Sequence, residues 1–130
     1  MDVLIVDDIK LIGESLKIGL SNLLPSSNIY FFHYNVERCE NENINTICET
    51  IKHNDIHILL LDRGYSKIYE DSKDEFVYSS ISESDRNLRV RGEYLLCNNN
   101  GILEKLSSLD TKLSSILLYT YDIGDININN

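Results

Sequence analysis

Two apolar runs of strand length end abruptly in carboxylates. Val3-Leu4-Ile5-Val6 runs into Asp7-Asp8, and Ile56-His57-Ile58-Leu59-Leu60-Leu61 runs into Asp62. Short continuous apolar runs bounded by polar residues mark strands buried on both faces. The pattern predicts a first strand over 2–6 and a third over 57–61. Between them, Ile12, Leu16, Leu20 and Leu23 share one face of a helix running from Lys10 to Leu23. Pro25 and the serines after it close that helix. Ile29-Tyr30-Phe31-Phe32 reads as the second strand, and Ile44, Ile47, Cys48 and Ile51 recur at helical spacing within a helix near 40–53. Strand–helix–strand–helix–strand order implies right-handed crossovers and a parallel sheet.

The pattern changes between Arg63 and Asn100. Lys67 to Asp74 is charged and reads as a loop. Glu75-Phe76-Val77-Tyr78 and Leu88-Arg89-Val90-Arg91 have strand character around a turn-rich centre, which predicts a β-hairpin over 75–97. Asn98-Asn99-Asn100-Gly101 is a break. A helix is expected from Ile102 to Leu109, then a strand from Ser115 to Tyr119 ending at Thr120.

In an open parallel sheet the ligand site lies outside the carboxyl ends of the strands. If the first and third strands are neighbours, Asp7, Asp8 and Asp62 meet at that edge. Three close carboxylates repel one another, and a hard cation such as Mg2+, which prefers oxygen ligands, relieves the repulsion. The bland alternative is that Asp7 or Asp8 caps the first helix. Gly64 would let the backbone approach such an ion.

Composition narrows the class. One domain is expected from 130 residues, and 42% hydrophobic residues suit a folded globular chain. No stretch approaches the ~18 apolar residues of a membrane span, and no signal peptide is expected ahead of the first strand. Cys39, Cys48 and Cys97 are odd in number and lack CxxC spacing, as reduced thiols of a cytoplasmic protein would. A net charge of -9 argues against direct nucleic-acid binding, which needs a basic face. The histidines His33, His53 and His57 form no metal-ligand pattern, because Asn54-Asp55 ends the helix between the last two. Arg86, Arg89 and Arg91 are expected to pair with neighbouring acids.

With VLIVDD at 3–8, ILLLD at 58–62 and ILLYT at 116–120, in this order with helices between, the chain resembles the receiver domains of two-component response regulators. The resemblance covers 1–62 and 101–120. It implies an α/β doubly wound, flavodoxin-like sheet of strand order 2-1-3-4, in a single receiver-like domain with an insertion at about 63–100. By this likeness Asp62 is the phosphoacceptor, Asp8 binds Mg2+ directly and Asp7 supports it through water. A backbone carbonyl near Gly64 completes the metal set, and Thr120 is the switch hydroxyl. A histidine kinase or phosphotransfer protein is the implied donor, and the domain is regulatory, not an enzyme.

The chain departs from that pattern in two places. Arg63-Gly64-Tyr65-Ser66 lacks the usual proline, and the insertion displaces the next helix. After Thr120 there is no room for the fifth strand, its flanking helices or the family's lysine, so the chain reads either as part of a longer regulator or as a reduced variant. Sheet surface left uncovered would favour a homodimer. Tyr121 could restrict access to Asp62. Tyr65, Tyr69, Tyr78 and Tyr94 read as packing residues of the insertion or as a binding face.

These departures sustain a rival reading, a pseudo-receiver that acts as an interaction module without phosphorylation. An Mg2+-dependent phosphohydrolase is a weaker rival, because such enzymes commonly carry a second carboxylate where this chain has Gly64.

Overall fold

The structure, a computed structural model, describes residues 1–66 and 89–120. The elements in chain order are β1 (Val3–Asp7), α1 (Lys10–Leu23), β2 (Ile29–His33), α2 (Glu40–His53), β3 (Ile58–Asp62), β4 (Gly64–Ser66) and β5 (Arg89–Arg91). Helices α3 (Gly92–Cys97) and α4 (Ile102–Ser107) and strand β6 (Ser115–Tyr119) follow. The fold is α/β, with β2, β1, β3 and β6 side by side in one parallel sheet.

The apolar runs become strands because each has a layer of side chains on both faces. Leu4, Val6, Leu59 and Leu61 pack on Ile44, Ile47 and Ile51 of α2 and on Leu95, Ile102 and Leu106 of α3 and α4. Val3, Ile5 and Ile29 face the other way, toward Leu16 and Leu20 of α1. Helix α1 lies so close to β2 that a Cβ on Gly13 would sit 2.1 Å from the Phe31 ring. Beyond that contact α1 is poorly covered, and Leu11, Ile18 and Leu23 are exposed. Among the described residues no helix is long and apolar enough to cross a membrane.

Helix α2 carries Glu40 and Glu42 in its first turn and Lys52 and His53 in its last, which complements the helix dipole. Its entry is fixed by Asn43, a fully buried polar side chain. The Asn43 amide donates to the carbonyl of Asn35 (2.7 Å) and that of Cys39 (3.3 Å), and its oxygen accepts from the Asn35 N–H (3.1 Å). Asn43→Ala should therefore cost about 1–2 kcal/mol in urea unfolding, since the freed groups of exposed Asn35 can turn to water. An unchanged midpoint would show that the loop repairs itself.

Two expectations are corrected. The strand beside β3 is not the fourth in the chain but the sixth, so the order is β2-β1-β3-β6 where 2-1-3-4 was expected. The reason is that the chain leaving Asp62 forms a separate antiparallel ribbon, with Gly64 opposite Arg91 and Ser66 opposite Arg89. The expected hairpin over 75–97 also fails at its end, because residues 92–97 are helical. Coiling this stretch puts Leu95 and Leu96 into the core, while Tyr94 is exposed. Glu75-Phe76-Val77-Tyr78 lies outside the described residues, as do Tyr69, Arg86 and Tyr121.

Candidate metal centre

Parallel pairing in register brings the strand ends together. Val6 lies opposite Leu61 and Asp62 opposite Tyr119, so Asp7, Asp62 and Tyr119 follow one another across the carboxyl edge. Asp8 is the next residue after β1. One carboxylate oxygen from each of Asp7, Asp8 and Asp62 lies within 4.8 Å of the others, although 54 positions separate Asp8 from Asp62 in the chain. Asp7 is fully buried, Asp62 nearly so, and Asp8 is partly exposed.

Both strand-end aspartates accept from the backbone N–H two residues on, as short carboxylates do where a chain turns. The Ile9 N–H donates to Asp7 Oδ1 at 2.8 Å, and the Gly64 N–H donates to Asp62 Oδ1 at 3.2 Å. The N-cap of α1 is Ile9, whose side chain makes no capping bond, and Asp7 accepts from the N–H of that residue. At the rim, the His33 ring donates through Nε2 to the Asp8 carbonyl (2.9 Å). His57 sits far from this edge, where its Nδ1 accepts from the Asp2 N–H. The Arg63 guanidinium turns to Glu93, 2.8 Å away.

Two tyrosines build the floor. The Tyr65 hydroxyl donates to the Val6 carbonyl (2.9 Å), and its fully buried ring lies against Tyr34 with centroids 4.6 Å apart. Tyr65 is thus a packing residue. The Tyr119 hydroxyl donates to Asp7 Oδ2 at 2.6 Å, the short distance of a charge-assisted bond. Burial, that bond and the three surrounding carboxylates push the Tyr119 hydroxyl far above its ordinary pKa, so it remains a donor. Burial raises the Asp7 carboxyl too, with a smaller push from Asp8, while the bonds from Tyr119 and Ile9 oppose the rise.

Asp7, Asp8 and Asp62 meet as expected. Gly64 enters β4 next to them, but no glycine among the described residues takes a positive φ. The glycine that a close approach requires is Gly92, where a Cβ would lie 2.3 Å from the Asp62 carbonyl oxygen. Thr120, the expected switch hydroxyl, is exposed just past β6 and lines a groove beside Leu60 and α1. A hydroxyl that does reach a carboxylate of the trio is that of Tyr119, on Asp7. The sequence signal for it was the pairing of ILLLD with ILLYT, where a one-residue offset decides whether Tyr119 or Thr120 aligns with Asp62.

The donor set is all oxygen and anionic, which suits a hard divalent cation such as Mg2+. Fold and site together define an α/β protein with three carboxylates at the carboxyl edge of a parallel sheet. Compared with known proteins, the chain matches no protein-family model, no curated protein and no solved structure.

Proposed function

We propose that this chain is a receiver-like, flavodoxin-like module that accepts a phosphoryl group on Asp62 in phosphorelay signalling. The observation that carries the reading is the convergence of Asp7, Asp8 and Asp62 at the carboxyl edge of the sheet. Phosphoryl transfer asks mainly for positioning and charge stabilisation. A carboxylate oxygen of Asp62 attacks the phosphorus of a phosphohistidine. The P–N bond breaks, and the imidazole nitrogen keeps the electron pair. Mg2+ bound by Asp8 and Asp62, with Asp7 behind it, would supply the positive charge that offsets the phosphoryl oxygens. The donor is a histidine kinase or phosphotransfer protein, in a cytoplasmic setting. Asp62 sits at the end of a packed strand, with its carbonyl against α3 at Gly92. A charge change there can reach the surface that a partner reads.

A second reading, an interaction module that works without phosphorylation, draws on a groove of about 650 Å³ between α1 and β6. Leu11, Leu16, Leu20, Leu23 and Leu60 line it, a mostly apolar wall open to a partner.

Acetyl phosphate with Mg2+, read by intact mass, separates the two. The expected result is an adduct of about 80 Da that disappears in Asp62→Asn and in EDTA. A folded wild-type chain that takes no adduct overturns the phosphoacceptor reading in favour of the interaction module.

A further inference from the structure

We infer that β6 is a docking edge for a second copy of this chain: two β6 strands pair antiparallel about a two-fold axis at Leu117 and join the two parallel sheets into one. The inference uses no carboxylate of the trio and stands apart from the phosphoacceptor reading.

Strand β6 closes one side of the sheet, and no described strand lies beyond it. Its side chains are those of an inner strand. Leu117 pairs with Leu60 and shares its face toward α1, while Leu118 pairs with Leu61 and shares the opposite face. Yet Leu117 is 53% exposed and Leu118 is 37% exposed. Natural edge strands are commonly blunted by a charge, a proline or a bulge. Ser115-Ile116-Leu117-Leu118-Tyr119 carries no charge and no proline, and its register with β3 is unbroken.

The backbone fixes which register a second strand can take. The Ser115 N–H donates to the His57 carbonyl and the Tyr119 carbonyl accepts from the Arg63 N–H, so residues 115, 117 and 119 turn their backbone groups to β3. By strand alternation Ile116 and Leu118 turn theirs outward. A register centred on Leu117 overlaps the whole strand with its copy. Ile116 then meets Leu118 of the second copy, and their outward N–H and carbonyl groups exchange hydrogen bonds. Leu117 meets its own copy as a non-hydrogen-bonded pair, whose Cα atoms approach to about 4.5 Å with the side chains in contact. Charge favours the second copy at this place. The chain carries a net charge of -9, which sets most surfaces of two copies against each other, but positions 113–121 hold no charged residue.

The test is sedimentation of the full chain, with circular dichroism to check the fold. Wild type should sediment as a dimer at micromolar concentration. Leu117→Lys sets two like charges against each other and should weaken the dimer at least about a hundredfold with the fold unchanged. A cysteine pair checks the register and serves equally if that variant does not fold. With the exposed thiols removed as Cys39→Ser and Cys97→Ser, Leu117→Cys should form a disulfide-linked dimer under mild oxidation, because the Cα separation suits the bond. Ile116→Cys in the same background faces Leu118 instead and should link at least about tenfold more slowly. Equal linking at both positions, or none at 117, overturns the inference, as does a dimer that Leu117→Lys leaves intact. A wild-type chain that stays monomeric assigns the edge to another strand, from this chain or a foreign protein, and overturns it too. None of these results alters the phosphoryl adduct expected at Asp62, so the two readings fail separately.

Discussion

Asp7→Asn is expected to stabilise the chain in EDTA at pH 8 by about 2–3 kcal/mol, in urea unfolding, and to lose that advantage as the pH falls. Two unit charges 4.8 Å apart at an effective dielectric constant of about 20 repel by about 3 kcal/mol. Asp7 faces two such neighbours while fully buried. Asparagine removes the charge and keeps the shape. Its oxygen can still accept from Ile9, and its amide can donate to the Tyr119 oxygen.

The pH dependence follows from linkage. Burial raises the native pKa of Asp7 above its ordinary 3.8, so the native state holds this proton more tightly than the unfolded chain. The resulting stabilisation is complete below 3.8 and is lost as pH rises through the native value. The wild-type stability should therefore approach that of Asp7→Asn only at low pH, and the two should diverge as Asp7 ionises. Saturating Mg2+ should narrow the gap, since an ion bound only by the native state stabilises by about 2.7 kcal/mol at a hundred times its Kd and offsets the repulsion that Asp7→Asn removes. A wild type that is the more stable protein in EDTA at pH 8 would mean that the three carboxylates do not strain the fold.

The trio was legible in the sequence because strand and acid are written side by side. A run such as VLIV suits an inner strand buried on both faces, and the first charged residue after such a strand emerges at the sheet edge. Crossover rules leave the strand order open; the adjacency of β1 and β3 was expected from the resemblance to receiver domains, and with it Asp7, Asp8 and Asp62 meet at one edge. The same logic fixed α1 and α2, whose apolar spacing matches the cores they join.

Residues 92–97 were not legible for a physical reason. Tyr94-Leu95-Leu96-Cys97 is a short apolar run, which periodicity cannot assign to strand or helix. The decision is tertiary: as a helix it puts Leu95 and Leu96 under the sheet beside Ile102. The role of Tyr119 was hidden in a register choice, since strand pairing can move by one residue without changing composition. The close approach at Gly92 left no local mark either, because its φ is ordinary and its neighbour, Asp62, is 30 positions away.

That close approach makes Gly92→Ala the most damaging small substitution expected near the site. A Cβ there would lie 2.3 Å from the Asp62 carbonyl oxygen and 3.2 Å from the Arg63 Cα. Both are backbone atoms, so no rotamer change can relieve the clash. The Gly92 N–H also donates to the Arg63 carbonyl at 2.9 Å, so α3 cannot retreat without losing this bond. Overpacking of this kind costs about 3 kcal/mol, at the upper end of its usual range. Whatever relaxation occurs must move Asp62, so Mn2+ affinity should fall with stability, by about tenfold for a displaced ligand. Gly19→Ala is the matched control. Nothing lies within 4 Å of its Cβ position, in the middle of α1. There alanine should stabilise by about 0.5–1 kcal/mol through helix propensity and leave ion binding unchanged. Opposite signs for the same substitution would locate the effect in the contact with Asp62, whereas equal effects would show that the β3–α3 junction has room to yield.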